Sequence, residues 1–448
     1  MQIKYIFFLL AAGYVLSSCG EKNIKQPSRE LETKMNALSE RYVKLVLKVG
    51  KFDPDYVDAY YGPKEWEPDS SFVADSTELR HLDADTDALL DSMETFGRYN
   101  ADKMQTFRFT FLSKQLLALK TRIFMLEGGK LPFDKETKAL YDAEAPQYPE
   151  EHFQKILDEL DKFLPGEGNL TDRVERFRSQ FIIPKDKLEK VFTAAINECR
   201  KITLDHISLP SNESFKVEYV NNKPWSGYNW YKGNFYSVIQ VNTDLPIYID
   251  RAVDLAAHEG YPGHHVYNTL LEKNLVRQRG WVEFSVYPLF SPQSLIAEGT
   301  ANFGIEMAFP GDSRIKFEKE VLFPIAGLDS SQADEYYHIL ELLDELDYAG
   351  NEAARHYLDG GWAKEKTVTW MQKFELMSKE RAEKRISFLD KYRSYVINYN
   401  LGKDIVKNYV EKEGGTKDNP GRRWEIFEKL LSTPQTPSGL QEELKKKK

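Results

Sequence analysis

Three of the eight histidines in this 448-residue chain fall within eight residues, in the stretch Leu255 to Tyr267 (LAAHEGYPGHHVY), and a glutamate follows the first of them. Neutral imidazoles and carboxylates bind Zn²⁺ and leave one position for a water, whose pKa then falls to about 7. Glu259, directly after His258, stands where it can take a proton from that water while the metal polarises a carbonyl. The common arrangement puts a second histidine at i+4, one helical turn on. Here i+4 is Pro262.

Pro262 has no N–H to donate to the carbonyl of His258, and Gly263 reaches dihedrals that other residues avoid, so a bulge or kink is expected there. Two looped-out residues bring His264 to the place that i+4 normally fills. His265, at i+7, has the better phase on an undistorted helix but sits about 10 Å along the axis. His264 is therefore the expected second ligand, with His265 as an alternate ligand or a support behind it. The third ligand should be a carboxylate on a following helix. In Ser291 to Glu306 (SPQSLIAEGTANFGIE), Ser291 or Pro292 can start that helix and Glu298 stands among small residues that admit a close neighbour. Glu283 and Glu306 compete for the role.

These side chains need elements to hold them. Ile249 to Ala257 alternates apolar and polar residues at helical spacing, which sets His258 and Glu259 on a helix with a buried face. Phe215 to Asn222 and Phe235 to Asn242 alternate with period two and carry β-branched and aromatic residues, so they read as strands of a small sheet beside the metal helix. Most other segments have helical periodicity, among them Leu31–Lys51, Ser76–Phe96, Asp102–Gly128, Glu150–Leu164 and Pro184–Leu204. Residues 132–149 lack it and read as a loop. The expected fold class is mostly α, one helical domain over residues 31–435 divisible into lobes near 31–210 and 211–435, with a charged tail at 436–448.

The first 18 residues combine a lysine at position 4 with a short apolar run and read as an export leader. Leu16-Ser17-Ser18-Cys19 resembles a bacterial lipobox, which implies cleavage before Cys19, its lipidation, and a tether over residues 19–30. Cys199 then has no partner and reads as a small buried hydrophobe in a helix. A net charge of −9 offers no broad basic surface for nucleic acid. Neither a phosphate-binding loop, a serine nucleophile elbow nor a dinucleotide fingerprint is present.

HEGYPGHH, followed some thirty residues on by SPQSLIAEGTANFGIE, resembles the domain of unknown function 885 family of bacterial proteins, many of them lipoproteins with a zinc-peptidase fold. The resemblance extends to Asp53–Pro63 (DPDYVDAYYGP), Gly233–Thr243 (GNFYSVIQVNT) and Tyr399–Gly402 (YNLG). That family is similar in turn to the helical metallopeptidases typified by carboxypeptidase Taq and angiotensin-converting enzyme, in which a Gly-His pair closes the metal motif. The resemblance implies zinc on His258, His264 and Glu298, Glu259 as general base, and Tyr399 as a donor to the oxyanion. It further implies that a strand near Asn242 and Thr243 lines the substrate cleft, and that Arg355, in an R-x-x-x-D-x-G segment, lies near substrate.

The expected function is zinc-dependent hydrolysis of peptide bonds at the cell envelope, by a protein anchored to a membrane through Cys19. The alternative is a metal- or peptide-binding lipoprotein without turnover. Its basis is Trp362-Ala363, where the resembling family carries a histidine. A glycan hydrolase with two facing carboxylates is a third reading.

Overall fold

The computed structural model describes residues 29–98, 101–223 and 225–445, and these build a predominantly α-helical protein with two small sheets. Cys19 and the leader lie outside the described residues. In chain order the first half comprises α1 (Arg29–Val49), β1 (Val57–Tyr60), α2 (Ser76–Glu94), α3 (Lys103–Leu126), α4 (Phe133–Tyr141), α5 (Glu150–Phe163), α6 (Leu170–Arg178) and α7 (Leu188–Leu204). Capping explains several starts: Asp75 accepts from the amides of Thr77 and Glu78 at 2.8 Å each, and Asp102 accepts from Gln105 at 2.7 Å. Helix α5 buries Phe153, Ile156, Leu157 and Leu160, the i, i+3, i+4, i+7 stripe of a helix laid on a core.

Next come β2 (Ser214–Val220), β3 (Gly227–Tyr231) and β4 (Tyr236–Asn242), then α8 (Asp250–Leu255), α9 (His264–Leu271), β5 (Val286–Pro288) and α10 (Pro292–Ala308). The remainder is helical: α11 (Ser313–Phe317), α12 (Phe323–Ala326), α13 (Ala333–Glu345), α14 (Tyr348–Leu358), α15 (Lys364–Phe374), α16 (Lys379–Tyr392), α17 (Ile397–Lys412), α18 (Pro420–Ser432) and α19 (Pro437–Lys445).

Three local expectations need correction. Residues 132–149 contain α4, whose Phe133, Leu140 and Tyr141 are buried although the apolar residues are too few to show a period. Residues 437–445 form α19, which buries Leu440 and accepts a 2.8 Å hydrogen bond from Tyr409 at Glu443, so this part of the expected tail is packed. The two expected strands pair in parallel, and a third that was not expected, β3, lies antiparallel on the other side of β4. The order β2-β4-β3 makes β4 the central strand, leaving no free edge on it for a substrate strand.

In the second sheet β1 pairs antiparallel with β5, which brings Asp58 to the cavity that His258 and Glu259 also line. Cys199 is fully buried in α7, and burial pushes its thiol pKa up, as befits a packing residue.

Candidate metal centre

The helix that starts as α8 widens at Ala256–Gly260, where Tyr261 donates its amide to the carbonyl of Ala256, five residues back, at 3.0 Å. Gly263 then donates to Ala257, six residues back, at 2.9 Å. A β-carbon on Gly263 would fall 1.9 Å from the carbonyl oxygen of His258, so this turn accepts only glycine. The bulge expected from Pro262-Gly263 is thus present. It delivers His264, the first residue of α9, to the same side as His258.

The two Nε2 atoms face each other at 3.1 Å. Glu298 Oε2, from α10, lies 3.2 Å from His258 Nε2 and 3.6 Å from His264 Nε2. That oxygen is buried and forms no hydrogen bond. Three donor atoms facing one point, one of them an orphaned buried carboxylate oxygen, form a donor set that could hold a metal ion.

The atoms behind the donors fix their direction. His258 Nδ1 pairs with Asn302 Oδ1 at 2.9 Å, a bond that places the proton on Nδ1 and leaves the Nε2 lone pair free. Asn302 in turn donates to the carbonyl of Tyr399 at 3.0 Å, and Tyr395 donates its hydroxyl to Glu298 Oε1 at 2.8 Å. Burial alone would lower the pKa of His264, but the Glu298 carboxylate more than offsets this and raises it to about 9. Burial alone would raise Glu298, yet the charge of His264 and the contacts of both histidines hold it well below the ordinary carboxylate range.

His258, Glu259, His264 and Glu298 line one cavity of about 1240 Å³, together with Asp58, Tyr228 and Tyr399. The Glu259 carboxylate makes no hydrogen bond or ion pair among the described residues. Burial pushes its pKa up, against the pull of both histidines and with the push of Glu298. Its backbone is pinned by Asn229 of β3, which donates to the Glu259 carbonyl at 2.6 Å. Asp58 accepts from the hydroxyl of Tyr228, and burial raises it to about 6. The hydroxyl of Tyr399 makes no hydrogen bond among the described residues, and burial followed by the Glu298 charge raises its pKa. It therefore stays protonated and able to donate.

Other expected residues lie elsewhere. His265 points away from the three donors: its Nε2 meets Glu213 at 3.0 Å and its Nδ1 meets Ser237 at 2.9 Å, in a fully buried network. It is not an alternate ligand, because it leaves the widened turn one position later than His264. Asn242 lines the cavity, but its side-chain amide donates to the carbonyls of Lys223 and Trp225 at 3.0 and 2.9 Å. Thr243 is off the cavity wall, its hydroxyl tied to Asn221 at 3.0 Å.

Arg355 is also off the wall. It meets Asp134 of α4 at 2.9 Å, while Asp359 accepts the amide of Phe133 at 2.7 Å. The R-x-x-x-D-x-G segment is thus a clasp on α4, not a substrate contact. Trp362 stacks on His356 at 4.3 Å away from the cavity, so the departure at Trp362-Ala363 falls outside the centre. Glu283 is paired with Arg108 at 2.6 Å and Glu306 with Lys407 at 2.9 Å, which leaves Glu298 as the carboxylate at the histidines.

Asn302, Tyr395 and Asp58 line the same cavity and were missed in the sequence. A signal existed for two of them: Asn302 is four residues after Glu298 and Tyr395 four before Tyr399, the spacing of neighbours on one helix face.

No family model matches the chain, and no curated protein matches it. Among solved structures it is similar to "the putative lipoprotein from Colwellia psychrerythraea", with a TM-score of 0.49 and 13% identity over 85% of this chain and 71% of that one. It is also similar to "a putative lipoprotein of unknown function from Shewanella oneidensis", with a TM-score of 0.45 and 13% identity over 82% of this chain and 72% of that one. Likeness at this level says nothing of activity.

Proposed function

We propose that this protein is a zinc-dependent hydrolase of peptide bonds, exported and lipid-anchored through Cys19. The observation that carries the reading is the convergence of His258, His264 and Glu298, 3.1 to 3.6 Å apart, on the cavity that Glu259 also lines. A tetrahedral zinc ion with bonds of about 2.0–2.1 Å spaces its donors by roughly 3.3 Å. Two imidazoles and one carboxylate are also the donor set of catalytic zinc, which keeps a fourth position open.

A zinc ion bound there supplies Lewis acidity, polarising a carbonyl oxygen and easing deprotonation of water. Glu259 takes the proton of the attacking water at its carboxylate and passes it to the leaving amine. Its raised pKa moves it toward the range in which it can both accept and return a proton. Tyr399, protonated and free of other partners, donates its hydroxyl to the oxyanion. Tyr395 and Asn302 hold Glu298 and His258 in place.

Export and the anchor rest on the leader and on Leu16 to Cys19. No helix among the described residues is long and apolar enough to cross a membrane.

The test compares wild type with Glu259→Gln, each loaded with equimolar zinc, on a pool of unstructured peptides read by mass spectrometry. Cleavage by wild type and a loss of about 10²–10⁴-fold in the variant, with zinc retained, is expected. Cleavage that is equal in both would overturn the role of Glu259, and none by wild type would overturn the hydrolase reading.

A further inference from the structure

Asp58 stands at a bulge of β1. Val57 faces Pro288 and Ala59 faces Tyr287, so two residues of β1 advance against one of β5 and Asp58 is the extra one. A bulge re-aims a side chain, and Asp58 lines the cavity. The hydroxyl of Tyr228 donates to its Oδ1. That is the one hydrogen bond of the carboxylate among the described residues, and no cation there pairs with it.

Asp58 lies near the metal centre without joining it. After burial and the Tyr228 hydrogen bond, the charges it feels most are those of His264, Glu298 and Glu259, yet it is not a fourth donor. Glu298, Glu259 and Asp58 thus bring three carboxylates to one cavity. A divalent ion offsets two of these charges and leaves the third unanswered. Arg381, Arg385 and Lys417 line the same cavity without ion pairs, but none is among the charges that Asp58 feels most.

Aromatic rings complete the surroundings. Burial first, and then the Asp58 charge among others, raises the hydroxyls of Tyr228, Tyr287 and Tyr392, all three on the cavity wall. No ring contact joins these three to one another among the described residues, so the rings stand apart. A carboxylate set among separate tyrosines suits an ammonium group, which donates to the carboxylate and is attracted by the rings.

We infer that Asp58, with Tyr228, Tyr287 and Tyr392 beside it, receives the α-ammonium group of a peptide's first residue, so that residues are removed from peptide N-termini. In that residue the nitrogen and the carbonyl carbon are two bonds, about 2.5 Å, apart, so Asp58 can hold the one while the metal centre takes the other. A lysine side chain carries its ammonium four carbons out from the backbone and does not match that spacing. Hydrolysis adds the water's hydroxyl to the first carbonyl carbon and its proton to the leaving amine, which frees the first residue. Removal of that residue rests on the hydrolase reading; binding of the ammonium does not.

The test measures binding to the full-length, zinc-loaded Glu259→Gln protein at pH 7.0, where a peptide's α-amino group is mostly charged. The probes are Ala-Phe-Ala-Ala with fluorescein at its C-terminal end and a free N-terminus, the same peptide N-acetylated, and the acetylated peptide with one internal lysine. The free amine should bind about tenfold or more tightly than either acetylated probe, and Asp58→Asn, which still accepts from Tyr228, should erase the difference by weakening the free amine alone. Asp58→Glu keeps the charge and should retain part of the preference, and a thermal melt checks that each variant is folded. Equal binding of free and acetylated peptide, discrimination that survives Asp58→Asn, or no binding at all overturns the ammonium site. Tight binding of the internal-lysine probe, lost in Asp58→Asn, overturns the N-terminal assignment in favour of a basic side chain. Wild type that cuts the acetylated peptide as fast as the free one overturns removal from the N-terminus. If discrimination holds while wild type cleaves nothing, the hydrolase reading fails and the ammonium site stands.

Discussion

Gly299 of α10 and Gly402 of α17 meet backbone to backbone: a β-carbon on Gly299 would fall 2.4 Å from the carbonyl carbon of Gly402, and one on Gly402 would fall 2.7 Å from the carbonyl oxygen of Leu295. Neither side of this contact is a flexible side-chain end, so neither can yield. The crossing sets Glu298 and Asn302 of one helix against Tyr395, in the turn just before the other, and Tyr399 in its first turn. Gly402→Ala should therefore lower stability by about 1–3 kcal/mol and weaken zinc binding through displacement of Glu298. Denaturant unfolding together with a competitive zinc titration checks both effects.

Asn302 holds the tautomer of His258 through the 2.9 Å bond to Nδ1. Asn302→Ala should weaken zinc binding by about 10–100-fold, measured against a chelator of known affinity. A variant that binds zinc as tightly as wild type would remove Asn302 from the centre.

The two tyrosines should separate cleanly. Tyr395→Phe removes a hydrogen bond to the ligand Glu298, so about 1 kcal/mol, or several-fold, should be lost from zinc affinity. Tyr399→Phe touches no donor atom and should leave zinc affinity unchanged while lowering kcat by about 10²-fold.

The metal-free protein should become less stable as pH rises. His264 is raised to about 9 by Glu298 despite its burial, against about 6.5 in an unfolded chain. Its protonated form therefore stabilises the metal-free fold fully below about pH 6.5, and this contribution is lost as pH rises through about 9. Zinc displaces that proton, so zinc affinity should climb over the same interval. Melting temperatures recorded with and without chelator from pH 6 to 10 check the sign.

Arg355 should behave as a structural residue. It is buried against Asp134, and Arg355→Gln should cost on the order of 3 kcal/mol while KM stays within twofold of wild type. Urea unfolding and steady-state kinetics on the same preparation decide it.

The cluster of His258, His264 and Glu298 was legible because metal-binding chemistry restricts residue type and spacing: Pro262 and Gly263 announce the distorted turn, and only His264 then reaches His258. The helices were legible where caps such as Asp75 and Asp102, or a stripe such as Phe153 to Leu160, marked them. Long-range pairing was not. Nothing local says that Phe215–Val220 runs parallel to Tyr236–Asn242, or that Gly227–Tyr231 takes the other edge. Nor does any local signal bring Asp58 on β1 to the cavity, or turn Arg355 toward α4, since those placements depend on partners about 170 and 220 residues away in sequence.

The account stands or falls on metal content. Zinc in the purified full-length protein, measured by inductively coupled plasma mass spectrometry after exhaustive dialysis, should come to one ion per chain. It should fall to background in the His264→Ala and Glu298→Gln variants, each shown folded by circular dichroism. A wild-type protein without stoichiometric metal, or variants that keep it, would contradict the shared coordination by His258, His264 and Glu298.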